Sequence, residues 1–559
     1  MTSPHRRRPF ISASTGSRDN CDAIGTHTLR RSPVPASPST LDRRRFLAVT
    51  GGGVLTFTAA LAGFSAAPVR ANPLFRDNPF TLGVASGDPL PDGVVLWTRL
   101  APEPLAADGS GGMGGRAVPV EWQIARDPQF RQVERAGAVR ATPELAHSVH
   151  AEVGGLEPGR DYWYRFRAGR ELSPVGHTRT APAADARPDQ VRFAYASCQN
   201  YADGYFTAHR HLAEEDVDLV VHLGDYIYEG PNVGTIGRAH LPAVECRSLT
   251  DYRIRYSQYK SDPDLQAAHA AAPWIVVLDD HEIDNNWADD VDGGGVGGAE
   301  FQARRIAALK AYYENMPLRR ASMPVGPDMQ LYRRLRYGTL ADFNVVDTRQ
   351  YRDDQACGDG RQIDCADRLD PARTMLGDAQ EAWLLDGLAD SPATWKVMAN
   401  QIFMMQADHE AGPVQAFGMD TWDGYAAARS RLLDGVRERG VDNFVVVTGD
   451  AHRSVAADLK ANFDDPGSAT VGTEFLATSL SAGGDGADQD ALGAVWLAEN
   501  PHMKFHNVQR GYATCTLTPD TWRTDYRVVP YVRRPDAPVT TRASLHVEAG
   551  VPGIAQVAS

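Results

Sequence analysis

Leu219-Val220-Val221-His222-Leu223-Gly224-Asp225-Tyr226-Ile227-Tyr228 is a short apolar run that stops at a glycine, meets a carboxylate at once, and reaches a phenol three residues later. A run of this length bounded by a turn residue predicts a buried strand whose polar end projects beyond its sheet. The pattern recurs. Residues 191–197 run into Cys198, Trp274-Ile275-Val276-Val277-Leu278 runs into Asp279-Asp280-His281-Glu282, and residues 443–448 run into Gly449-Asp450-Ala451-His452. Helical stretches at about 299–315 and 425–437 alternate with these strands, as in a mixed α/β domain. In such sheets ligands bind outside the carboxyl ends of the strands, where these four groups can converge although long connections separate them.

On the N-terminal side, from 78 to about 181, the pattern changes to short alternating runs such as Gly93-Val94-Val95-Leu96-Trp97-Thr98 and Tyr162-Trp163-Tyr164-Arg165-Phe166, separated by Gly, Pro and Asp turns. This predicts a small all-β sandwich, with a boundary near 185. Asp292-Gly293-Gly294-Gly295-Val296-Gly297-Gly298 reads as a flexible surface loop, with an active-site lid as the alternative.

Further upstream the first 71 residues hold ten Arg, no Lys and three Asp. Arg43-Arg44-Arg45-Phe46-Leu47 precedes a weakly apolar stretch that ends at Val69-Arg70-Ala71. This predicts a twin-arginine signal peptide over 1–71, with the mature chain starting near Asn72; a basic nucleic-acid patch or an uncleaved anchor are the competing readings. No later segment resembles a membrane span. The remaining chain carries 47 basic and 68 acidic residues, a formal charge of -21. That balance argues against a nucleic-acid partner. It also means that a phosphate site must overcome the overall field locally, for example with bound cations. Of the cysteines beyond the leader, Cys357 and Cys365 can form a local disulfide in an oxidising compartment, while Cys246 and Cys515 have no evident role.

The strand-end groups suit metal chemistry. Asp225 can bridge two cations, and the Tyr228 phenolate is a hard donor suited to ferric iron; Asp225 capping a turn and Tyr228 packed in a core is the competing reading. Three acids and a His in Asp279-Asp280-His281-Glu282 need solvent or metals to compensate them beside an apolar strand. A solvated acidic loop competes with that reading. Asp450 and His452, two apart, can reach neighbouring metals from one extended loop.

The ordered series Ala196-Ser197-Cys198-Gln199, Gly224-Asp225-Tyr226-Ile227-Tyr228-Glu229, Asp279-Asp280-His281-Glu282 and Gly449-Asp450-Ala451-His452 resembles the alkaline phosphatase D family, within the calcineurin-like metallophosphoesterases. Pro327-Asp328-Met329-Gln330-Leu331-Tyr332 and Val346-Asp347-Thr348-Arg349-Gln350-Tyr351-Arg352-Asp353-Asp354-Gln355 are similar to it as well, and the resemblance runs from about 78 to 544. It implies an α/β fold, a four-layer sandwich of two mixed β-sheets flanked by helices, preceded by a small fibronectin-type all-β domain. The expected organisation is signal peptide 1–71, β-sandwich 72–185, catalytic domain 186–530 and C-terminal extension 531–559.

The resemblance also implies Fe3+ and Ca2+ as cofactors. Cys198, Asp225, Tyr228 and His452 are then the iron ligands, with Asp225 bridging, and Asp280 and Asp450 hold calcium. Asp280 stands where many relatives have Asn and Asp450 where they commonly have His, a shift to oxygen donors that agrees with calcium. Cys198 replaces the carboxylate usual in the relatives; without the resemblance it reads as a buried apolar thiol. His281 is expected to contact the phosphate or assist the leaving oxygen, with holding Asp280 in place as its competing role. Asn285 and Asn286 are expected to orient ligands, and Asn400-Gln401 fall where relatives have a further ligand. The implied protein is an alkaline phosphatase, exported to the periplasm or the exterior by the twin-arginine machinery, that hydrolyses phosphate esters with a metal-activated water or hydroxide. The alternatives are a phosphodiesterase or phospholipase D-like activity on the same centre and, from another class, a secreted calcium-stabilised binding protein.

Overall fold

The computed structural model describes residues 75–558, so the predicted signal peptide lies outside the described residues. Two large mixed sheets face each other. In the ten-stranded sheet three short parallel strands, Val191–Ala196, Leu219–His222 and Pro273–Val276, lie side by side in the middle. In the seven-stranded sheet Ala341–Val345, Trp395–Ala399, Phe444–Thr448 and Thr470–Leu476 run parallel to one another.

Period-two alternation explains the layering. Every residue of Phe444–Thr448 is buried, but Val445 and Val447 join the core between the sheets while Val446 joins the core beneath the outer helices. Aromatic rings fill the space between the sheets: Phe193 meets Phe343 edge-on at 5.0 Å, and Trp395 meets Trp522 at 5.7 Å. The Tyr195 hydroxyl crosses from one sheet to donate to the Phe475 carbonyl at 2.8 Å. Helices Leu249–Lys260, Pro263–Ala271 and Ala299–Asn315 cover the ten-stranded sheet, and Gly377–Ala389 and Ala426–Glu438 cover the other. The expected four-layer sandwich is therefore present, and the helices predicted at 299–315 and 425–437 are observed at Ala299–Asn315 and Ala426–Glu438.

The N-terminal β region is joined to this body more closely than its sequence suggests. Val118–Ala125, Val133–Ala141 and Asp161–Ala168 form a small antiparallel sheet with two short strands. The strands that pack against it, Val84–Leu90, Gly93–Arg99 and Ser148–Gly154, are also the edge of the ten-stranded sheet, with Ser86 paired to Pro273 and Gly87 to Trp274. The expected boundary near 185 thus does not interrupt the sheet. At the opposite edge Thr540–Glu548 and Val551–Ala558 add two more strands, so the segment expected as a C-terminal extension is part of the same sheet. Cys357 and Cys365 are disulfide-bonded, and Cys246 and Cys515 are free and buried. Among the described residues no helix is long and apolar enough to cross a membrane.

Candidate metal centre

The carboxyl ends of Val191–Ala196, Leu219–His222, Pro273–Val276 and Phe444–Thr448 deliver their loops to one place. Two glycines permit the approach. A Cβ on Gly224, whose φ is +108°, would lie 2.3 Å from Cβ of Asp279, and a Cβ on Gly449 would lie 2.3 Å from Oγ of Ser197. Cys198, Asp225, Asn286, Asp450 and His452 all have positive φ, at 59°, 54°, 56°, 71° and 55°. Such strain in non-glycine residues clusters where a backbone must aim a functional group.

The donor atoms converge in three overlapping groups: Cys198, Asp225 and His452; Asp225, Asp280 and His281; and Asp225, Asp279, Asp280 and Asp450, each with its ligand atoms within 4.8 Å of one another. Asp225 belongs to all three. The Tyr228 hydroxyl donates to Asp225 Oδ2 at 2.9 Å and lies 3.0 Å from His452 Nε2, so Tyr228 adjoins the first group. The acidic loop is not solvated: Asp279, Asp280 and Glu282 are buried at 1%, 2% and 1% exposure.

This packing raises the cost of every negative charge. Burial, then Asp225 and Asp450, hold the Cys198 thiol well above its ordinary pKa. Burial, then the neighbouring Asp225 and Cys198, do the same to the Tyr228 phenol. Asp225 and Asp450 are pushed well up by burial and by the other carboxylates, and Asp279 rises to about 7 although Arg349 opposes the burial. For Asp280 burial is outweighed by Arg349 and His281, which pull it below the usual carboxylate range. Burial and Arg510 lower His452 to about 3, leaving a neutral imidazole with a lone pair to offer. Asp225 Oδ1 is buried without a hydrogen-bond partner. Soft, hard and imidazole donors packed this tightly, with one carboxylate oxygen unsatisfied, fit bound polyvalent cations, which would compensate the charge that solvent cannot reach.

Residues 193–526 match the family model for PhoD-like phosphatase, and residues 65–182 match that for the PhoD-like phosphatase N-terminal domain. Over 531 residues the chain is 50% identical to alkaline phosphatase D of Bacillus subtilis (strain 168), covering 93% of this chain and 90% of that protein. The chain belongs to the PhoD-like phosphatase family. A solved structure titled "Structure of PhoD" superposes with a TM-score of 0.85 at 50% identity, covering 87% of this chain and 94% of that one.

Around the PhoD-like centre stand residues to which the motifs alone assigned no role. Glu282 accepts from the backbone N–H of Asp225 (3.1 Å), Tyr226 (2.5 Å) and Asp279 (2.6 Å), tying two of the loops together. Glu229 faces His281 Nδ1 at 2.7 Å and accepts from the Asn285 N–H at 2.8 Å. Arg510 donates to the His452 carbonyl at 2.7 Å and to Gly484 at 2.8 Å. Arg349 donates to Asp279 and Asp420. The two glutamates sit inside the motifs Gly224-Asp225-Tyr226-Ile227-Tyr228-Glu229 and Asp279-Asp280-His281-Glu282, which do not give their hydrogen-bond partners. Asp420 and Arg510 lie in stretches with no pattern of their own.

The expected Asn residues divide. Asn285 meets its neighbours through its backbone N–H. Asn286 donates from its backbone to Asp280 Oδ2 and from its side chain to Asp359 Oδ2, both at 2.8 Å, so it holds one side of the acidic group. Gln401 accepts from the Thr348 N–H and donates to the Val346 carbonyl, both at 2.9 Å, a structural role for that side chain.

Proposed function

We propose that this chain is an alkaline phosphatase that hydrolyses phosphate esters at the centre around Asp225, holding Fe3+ through Cys198, Asp225, Tyr228 and His452 and Ca2+ through Asp280 and Asp450. The observation that carries this reading is the place of Asp225, shared between a sulfur, phenol and imidazole group on one side and an oxygen-only group on the other. The first set suits a ferric ion and the second a hard divalent cation. Bound there, the two cations would supply Lewis-acid stabilisation for in-line displacement at phosphorus.

The side chains supply the rest. Against its burial, Asp280 and Glu229 raise the pKa of His281 well above the ordinary value and so favour its protonated form. Glu229 engages Nδ1, so Nε2 is the nitrogen left to donate to a phosphoryl oxygen or to the leaving oxygen. Its ring packs 4.2 Å from that of Tyr228, which limits its rotation. Asn286 keeps Asp280 aimed inward, and Asn285 stands at the exposed rim, where it would meet substrate.

Parallel assays with p-nitrophenyl phosphate and bis(p-nitrophenyl) phosphate test the activity. Turnover of the monoester supports the reading; a large preference for the diester would move it to the phosphodiesterase or phospholipase D-like alternative, and turnover of neither by metal-replete protein would favour a calcium-stabilised binding protein. Export by the twin-arginine route to the periplasm or exterior belongs to the same proposal, on the strength of Arg43-Arg44-Arg45-Phe46-Leu47. Replacing Arg43, Arg44 and Arg45 by Lys should strand the activity in the cytoplasm, and undiminished export would refute it.

A further inference from the structure

Five carboxylates, those of Asp225, Asp279, Asp280, Asp420 and Asp450, surround one side of the centre, and two of them are already neutralised by the chain itself. Arg349 is fully buried, with a side-chain exposure of 0%. Its Nε donates to Asp279 Oδ1 at 2.5 Å, while Nη1 and Nη2 form a fork on Asp420 at 2.9 and 3.1 Å. The same guanidinium approaches Asp280 Oδ1 only to 3.8 Å, beyond hydrogen-bond range.

Asp420 has no capacity left for another partner of high charge. Arg352 Nη2 reaches it at 2.5 Å and Gln355 Nε2 at 2.8 Å. Arg349 is fixed from behind as well, since its N–H donates to Asp347 Oδ1 at 3.0 Å and its carbonyl accepts from the Asp289 N–H at 2.9 Å. A planar, weakly hydrated and permanently charged guanidinium is the side chain best suited to such a buried fork.

We propose that Arg349 is a positioning residue that stands in for a cation: its guanidinium neutralises Asp279 and Asp420 from within the chain and confines divalent-cation binding to Asp225, Asp280 and Asp450. This rests on the metal-centre reading above. The number of cations that the site takes from solution is then set by the chain, because one position that an acidic cluster would fill with an ion is filled by Arg349. Removing the guanidinium while keeping the aspartates leaves the carboxylates of Asp279 and Asp420 without the counter-charge they share, a state that recruits a cation.

The test counts bound calcium by equilibrium dialysis and elemental analysis at millimolar CaCl2 and alkaline pH, on the full chain and on Arg349→Met, Arg349→Lys and Asp420→Asn, with melting curves to establish folding. Arg349→Met should bind an additional Ca2+ per chain, whereas Arg349→Lys, which keeps the charge, should bind the parental number. A residue with a merely structural role would lower the melting temperature of Arg349→Met without changing the count. An unchanged or reduced calcium count in folded Arg349→Met overturns the proposal. Should that variant not fold, Asp420→Asn decides: an unchanged count supports the guanidinium as the partner of Asp420, and loss of a calcium ion shows that Asp420 itself holds one, which overturns the proposal. If the parent protein binds no calcium at all, the metal-centre reading fails first and this inference falls with it.

Discussion

Cys198 and Tyr228 are the residues whose ionisation most depends on what lies between them. Burial and neighbouring carboxylates hold both as neutral groups, so neither becomes an anion unless a polyvalent cation compensates it. A ferric ion held by a thiolate and a phenolate absorbs visible light, and the concentrated protein should be coloured. Tyr228→Phe removes one oxygen and keeps the ring that packs on His281. Its visible band should weaken or shift, and turnover should fall by at least about tenfold, since loss even of groups outside the ligand set costs ~10–100-fold at metal sites. Cys198→Ser should act in the same direction, because a hydroxyl is a poorer anionic ligand near neutral pH. Spectra and iron content unchanged in both variants would remove these two residues from the ligand set.

At the scale of elements the strand-end pattern was legible because an apolar run that stops at a carboxylate has few ways to satisfy both halves. The helices at 299–315 and 425–437 were legible from their composition and length. The lateral pairings were not: no local pattern makes Ser86 the partner of Pro273, or brings Thr540–Glu548 beside Thr521–Val529, because sheet register between distant segments is set by the assembled core. The same holds for the segment after Ala341–Val345. It reaches back to the centre through Gln355, which donates to the Asn286 carbonyl and to Asp420, and through Asp359, which accepts from Asn286 Nδ2. The Cys357–Cys365 disulfide closes this segment over a separation of 8 residues. Opening it by the double change Cys357→Ser, Cys365→Ser should speed backbone hydrogen exchange across residues 354–370 and leave the strands Phe444–Thr448 and Leu219–His222 protected. Uniform exchange in both proteins would show that the hydrogen bonds hold the segment without the covalent link.

For the whole molecule, acid sensitivity follows from a second buried cluster. His209, His222 and His269 surround Trp274, with ring centroids 5.9, 5.8 and 3.9 Å away. Burial lowers His209 from 6.5 to about 3 and carries His222 and His269 well below 6.5. Below pH 6.5 these three histidines therefore bind more protons in the unfolded chain than in the native one, so their contribution to stability is full above that pH and is lost as the pH falls toward the native values. Each such histidine adds to the slope on the order of 1 kcal/mol per pH unit while the pH lies between its unfolded and native values. The urea midpoint should drop steeply between pH 6.5 and pH 4.5, and His209→Gln should make the drop shallower; a midpoint independent of pH in that range would contradict the account.

The candidate site was legible in unequal parts for a physical reason. Acids and a histidine at strand ends advertise themselves in one dimension, as Asp225, Asp280, Asp450 and His452 did. The compensating charge comes from Arg349, the carboxylate that accepts from the loop backbone from Glu282, and the donor to the His452 carbonyl from Arg510, whose partners lie 70, 57 and 58 positions away in the chain. Such pairings exist only once the sheets have assembled.

The most direct test of the central claim, a calcium-dependent phosphatase centre built around Asp225, is p-nitrophenyl phosphate hydrolysis after exhaustive chelation followed by return of single metals. Chelation should abolish turnover, and Ca2+ should restore it more completely than Zn2+. Full turnover by protein shown to contain no calcium would contradict the account.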